Sequence, residues 1–192
     1  MIEEMFDEII RHYPDFPKPG IDFIDVLPFL QNKEAFRGAI EAIDRLGTAP
    51  NVTAVEARGF LFSTPLLAVS YRVEALLPVR KKGKTPHLGD GDLRRVAVQK
   101  EYGFDELFYR RSDIDALSAP GEVCGITLFD DFLATGGTAL ELAKALEQEN
   151  CRGKRLKVTE FIFLAELPAL GGRRLLESIA PVHTLMSIDG VE

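Results

Sequence analysis

The order of the apolar segments predicts an α/β fold, with a central, mainly parallel sheet flanked by helices. Three observations support this. Apolar runs of strand length alternate with stretches of helical spacing over most of the chain. Two of those runs, "VCGITLF" and "VTEFIFL", are almost continuously apolar, as strands covered on both faces are. Clusters of glycine, proline and polar residues separate the segments.

Along the chain, Ile2 to His12 has helical spacing of apolar residues. "YPDFPKPGIDF" carries Pro14, Pro17, Pro19 and Gly20, so it is an ordered loop or extended arm. Asn32 is placed to cap a helix whose apolar face is Phe36, Ala39, Ile40, Ile43 and Leu46, and Gly47 closes it. Strands are predicted at Val52 to Glu56, Ala75 to Val79, Val123 to Phe129, Val158 to Leu164 and Val182 to Met186. Helices are predicted at Phe60 to Val69, Ala139 to Glu149 and Leu175 to Ile179. Val96 to Lys100 and Glu106 to Arg110 read as an antiparallel pair joined near "YGFD". There is no repeat or linker, so residues 1–192 are expected to form one domain.

Composition narrows the function classes. The net charge of −7 argues against nucleic-acid binding, and no apolar run approaches the roughly 20 residues a membrane helix needs. The acidic start "MIEEMFDEII" is neither a signal nor a transit peptide. Cys124 and Cys151 lie far apart in no metal-like spacing, which suits the cytoplasm and argues against a disulfide scaffold or zinc site. One basic run, "VRKKGKTP", stands out against the acidic background as either a solvated loop or a local anion site. Its "GKT" is not a P-loop, because the first glycine of that motif would fall on Pro78.

The most informative stretch is "LFDDFLATGGTALELAKA". An apolar strand meets Asp130 and Asp131, then Thr135, Gly136, Gly137 and Thr138, and then a helix begins. Glycines let backbone N–H groups point inward, and the helix start adds its positive end. Two hydroxyls complete a phosphate cradle. The two acids suit a ribose diol just beyond it, or water on a magnesium ion.

This motif resembles the 5-phosphoribosyl pyrophosphate (PRPP) signature of the type I phosphoribosyltransferases. The likeness extends to "YPDFPKPG", "VEARGFLFSTPL", "LLPVRKKGKTP", "KEYGFDELF" and "AELPALGG" in the same order. It implies a sheet of that family's type with an N-terminal hood over the base (residues 1–31) and a mobile lid (residues 82–97). It also implies that Asp130 and Asp131 hold the ribose hydroxyls, and that Ala134, Thr135, Gly136, Gly137 and Thr138 hold the 5-phosphate. Glu56, Ala57 and Arg58 match the family's pyrophosphate turn, with a cis bond expected between Glu56 and Ala57. Arg80 and Lys84 resemble residues that meet pyrophosphate. Glu101 matches the acid that handles the purine N7 proton. In the hood, Phe23 matches the aromatic that stacks on adenine, and backbone groups near Ile21 read the ring edge.

The activity implied is transfer of the phosphoribosyl group from PRPP to a purine, with Mg²⁺ carried by PRPP rather than by the protein directly. Members that use 6-oxopurines usually have an aspartate before Thr-Gly and a late lysine. Here Ala134 stands before Thr135, and the last lysine is Lys157, before the penultimate strand. Adenine is therefore the expected base, with AMP and pyrophosphate as products and a homodimer as the expected assembly. Use of another base, or a non-catalytic PRPP-binding regulator, are the alternatives. The chain departs from the family pattern at Asp22 and Ile24, which flank Phe23, at Ser63, and at Lys100.

Overall fold

The structure is a computed structural model that describes residues 6, 8–89, 91–99 and 104–189. Its centre is an eight-stranded sheet in the order β10-β9-β7-β3-β4-β6-β5, with β8 paired to β9. These strands are β3 (Asn51–Val55), β4 (Ala75–Lys81), β5 (Leu93–Gln99), β6 (Phe104–Arg110), β7 (Cys124–Leu133), β8 (Asn150–Cys151), β9 (Lys154–Glu166) and β10 (Val182–Ser187). From β10 to β4 the neighbours run parallel, while β6 and β5 add an antiparallel hairpin at one edge. This is the mainly parallel α/β sheet expected from the sequence.

Strand alternation explains why both faces are apolar. In β9, Phe161 and Phe163 join one core while Ile162 and Leu164 join the other, and a bulge at Thr159 brings Val158 onto the first face. The first core packs under α5 (Gly137–Leu146) and α6 (Gly172–Leu176), through Leu142, Leu146 and Leu176. The second packs under α1 (Lys33–Leu46) and α2 (Arg58–Ser63), through Ala39, Ile43 and Phe62. Asn32 caps α1 by accepting from the Ala35 amide at 3.1 Å, and Gly47 closes it. The helix expected over Phe60 to Val69 is two short ones, α2 and α3 (Leu66–Val69), because Pro65 cannot donate within a continuous helix. A single turn, α4 (Arg111–Ile114), follows β6.

Two expectations are corrected. The helical pattern read over Ile2 to His12 does not extend to its end, since Arg11–Tyr13 form β1, paired antiparallel with β2 (Phe23–Asp25); Phe6 is helical, and residues 1–5 and 7 lie outside the described residues. Pairing with a distant segment outweighs a weak local helical pattern there. The stretch read as a lid divides: residues 82–89 and 91–92 connect two strands, whereas Leu93–Ala97 belong to β5. Both long central strands also exceed their apolar runs, because backbone pairing continues past the last apolar residue. β7 thus carries Asp130 and Asp131 inside its ladder, and Asp130 stands opposite Phe163.

Candidate active site

The parallel strands end in loops on one edge of the sheet, the usual location of ligand sites in such folds. Two adjoining cavities open there. One, of about 370 Å³, is lined by Val55, Glu56, Ala57, Arg58, Lys81, Val98, Asp105, Leu107, Asp130, Asp131 and Thr138. The other, of about 100 Å³, is formed by the loop 134–138 and backed by Phe163. Asp130 and Thr138 line both.

The smaller cavity has the geometry of an anion cradle. Gly136 adopts φ 78°, a left-handed conformation that favours glycine, and no side chain caps the start of α5. The first-turn amides of this helix are therefore available to a ligand. Gly172 seals the cradle from behind. A Cβ there would lie 2.2 Å from the Ala134 carbonyl oxygen and 2.9 Å from the Gly136 amide nitrogen. In the sequence "ALGG" carries a family likeness, and the contact itself leaves no local signal.

The larger cavity has acids on its floor and cations on its wall. Arg58 Nε lies 2.7 Å from Asp131 Oδ2, although Oδ2 has no hydrogen bond of good alignment. Burial, then the neighbouring Asp131 carboxylate, push the Asp130 carboxyl well above its ordinary pKa, and Arg58 offsets this only in part. The peptide bond between Glu56 and Ala57 is cis, as the resemblance implied. Gly59 keeps this turn close to the floor, because a Cβ there would come within 3.3 Å of Asp130 Oδ1.

Of the remaining predicted residues, Arg80 is turned onto Glu56 at 2.7 Å and donates to the Lys84 carbonyl at 2.5 Å. Lys84 is exposed, and it is Lys81 that lines the cavity. Lys81 belongs to the basic run already noted in the sequence, whereas Val98, Asp105 and Leu107 carry no site signal there. They reach the site only because β4, β5 and β6 are adjacent in the sheet. Phe23 faces the site: the Arg58 guanidinium lies 5.8 Å from its ring and 5.6 Å from that of Phe132. Ile21 is exposed. Glu101 lies outside the described residues.

No protein-family model matches the chain. Among curated relatives, the adenine phosphoribosyltransferase of Rhizobium meliloti is 39% identical over 186 residues, covering 94% of this chain and 93% of that protein. The adenine phosphoribosyltransferase of Brucella suis is 37% identical over 191 residues, covering 95% and 94%. Among solved structures, the adenine phosphoribosyltransferase of Thermoanaerobacter pseudethanolicus superposes with a TM-score of 0.81 at 34% identity, covering 98% of this chain and all of that one. The Saccharomyces cerevisiae enzyme, complexed with D-2,5-dideoxy-2,5-imino-altritol 1,6-bisphosphate and adenine, superposes with a TM-score of 0.77 at 31% identity, covering 96% and 98%.

Proposed function

Because the chain belongs to the adenine phosphoribosyltransferase family, we propose that its two joined cavities hold the two ends of PRPP. The enzyme transfers the 5-phosphoribosyl group from PRPP to adenine, giving AMP and pyrophosphate, a reaction of purine salvage. The observation that carries the site assignment is the shared wall: Asp130 and Thr138 face both an anion cradle and a cleft of nucleotide scale.

In this reading Ala134, Thr135, Gly136, Gly137 and Thr138 bind the 5-phosphate, with backbone amides and hydroxyls donating. Asp130 and Asp131 accept from the ribose hydroxyls. The turn at Glu56, Ala57 and Arg58 takes the pyrophosphate, with Lys81 on the opposite wall. Arg80 and Lys84 join it when the segment 82–92 folds over the reacting ends. That closure keeps water from the activated sugar. Phe23 stacks on adenine, the Ile21 backbone meets its edge, and Glu101 accepts the N7 proton as the base nitrogen attacks the ribose.

The residues present fit Mg²⁺ bound through PRPP and water. Asp131 Oδ2 is buried without an aligned donor, and burial and Asp131 raise the pKa of Asp130 beside it, which a nearby cation would oppose. When bound, the ion neutralises charge on the departing pyrophosphate. We place the enzyme in the cytoplasm, where the two free cysteines, both buried, stay reduced. No helix among the described residues is long and apolar enough to cross a membrane. A homodimer is the proposed assembly, and the exposed apolar side chains of Leu67, Val69 and Tyr71 offer a face for it.

Initial rates with adenine, hypoxanthine, guanine, xanthine and uracil, each with PRPP, test the base assignment. Only adenine should turn over rapidly. Glu101→Gln should lower kcat roughly 10²–10⁴-fold with little change in PRPP affinity. A parental rate would remove Glu101 from the mechanism.

A further inference from the structure

The hood carries an acid, Asp22, where the family pattern has an apolar residue. Asp22 Oδ2 lies 2.6 Å from His12 Nδ1 on the facing strand. A carboxylate only accepts, so Nδ1 carries the shared proton. His12 stands opposite Ile24 in the β1–β2 register, which makes Asp22 its diagonal neighbour. The other oxygen, Oδ1, is removed from solvent and has no hydrogen-bond partner. Alternation puts Asp22 on the face of buried Ile24, opposite the face from which Phe23 reaches Arg58. The pair therefore braces the hairpin from behind while Phe23 works in front.

Each strand of this hairpin has only three residues, so its backbone ladder is short and one side-chain tie weighs heavily. Further ties lie in the loop: the Phe16 amide donates to the Ile21 carbonyl at 3.1 Å, the Ile21 amide to the Lys18 carbonyl at 3.2 Å and the Gly20 amide to Asp15 Oδ1 at 2.8 Å, and the Phe16 and Phe23 rings pack edge to face at 5.4 Å. We infer that His12 is a positioning residue for the base half of the reaction, acting through Asp22 to hold the hairpin where Phe23 meets adenine. This rests on reading Phe23 as the base-stacking residue.

The pairing chemistry sets a sign that a general loss of stability would not produce. Removing His12 alone leaves a partly buried carboxylate without its donor, whereas removing both partners leaves none. Initial rates on the full chain test this, varying adenine at saturating PRPP and PRPP at saturating adenine. His12→Leu should raise the adenine KM roughly fivefold to twentyfold, leaving kcat and the PRPP KM unchanged. Adding Asp22→Val should recover most of that rise, and His12→Gln, which keeps a donor, should lose less than His12→Leu. An unchanged adenine KM, a PRPP KM that rises in parallel, or a double variant no better than His12→Leu would each overturn the inference. If His12→Leu alone does not fold, the comparison moves to the Asp22→Val background. There, removing His12 should change nothing, and a further rise in adenine KM counts against the proposal. Adenine turnover by the unaltered chain is the control: its absence would sink the assignment of function, whereas turnover indifferent to His12 sinks only this inference.

Discussion

Two carboxylates, Glu160 buried and Asp130 half-buried, lie on adjacent strands of the same sheet and are treated in opposite ways. Glu160, in β9, is 3% exposed and accepts from the Thr48 amide at 3.0 Å and the Ala49 amide at 3.2 Å. The hydroxyls of Thr48 and Thr127 also donate to it. Burial pushes its carboxyl up, but those donors outweigh burial and hold its pKa below the ordinary value. Asp130, in β7, has one donor, the amide of Asp131 at 3.0 Å, and an acid for a neighbour. Burial and that neighbour raise its pKa. What separates the two is the supply of donors and the acid that stands beside Asp130. Glu160 is a finished structural hub that ties the loop before β3 to the centre of the sheet. Asp130 is short of donors, and in the proposed function PRPP supplies the partners it lacks.

The largest expected effect is on the hub. Glu160→Ala leaves several donors buried and unpaired, which should cost about 3 kcal/mol. At this chain length that is a fall in Tm of roughly 6–12 °C by calorimetry. The sign with pH follows from the lowered pKa: Glu160 contributes stability above its unfolded pKa, which is lost as pH falls through its folded value. Glu160→Gln should therefore flatten the acid limb of a Tm–pH curve, and an acid limb identical to the parent would break the contrast.

Next in size is Gly172→Ala. The added Cβ meets backbone atoms of the cradle that cannot move aside without displacing Gly136, so PRPP affinity should fall about tenfold to a hundredfold by calorimetric titration. Folding should suffer less than binding. Wild-type affinity would show that the cradle does not need its observed shape.

Smallest, and of opposite sign to the first, is the effect of Asp130→Asn on the ligand-free chain. A raised folded pKa means that Asp130 stabilises the fold below its unfolded pKa, and that this stability is lost as pH rises through the folded value. Near neutral pH, the neutral amide should therefore raise Tm by a few degrees, about 1 kcal/mol, while weakening PRPP binding. A fall in Tm would show that Asp130 is paired like Glu160 and is not a ligand site.

Much of the site is legible along the chain because its chemistry is local. "DDFLATGGT" spaces acids, glycines and hydroxyls so that one strand, one turn and one helix start converge in any fold that forms them. "VEARGF" does the same for the turn carrying Arg58. The end of the N-terminal helical pattern, at Arg11 and His12, becomes strand because β1 owes its existence to β2, which no local pattern reports. The place of Lys81, Asp105 and Gly172 at the site has no local signal, because neighbouring strands and a returning helix bring them there.

The sequence alone determines the α/β order of elements, the glycine turn after β7 and the family likeness, since backbone conformation and residue spacing act over a few positions. Tertiary structure alone decides which acid is held charged and which is pushed toward neutrality, and which glycine closes the cradle. Desolvation and hydrogen-bond supply depend on what distant segments bring into contact, and that is settled only when the sheet is assembled.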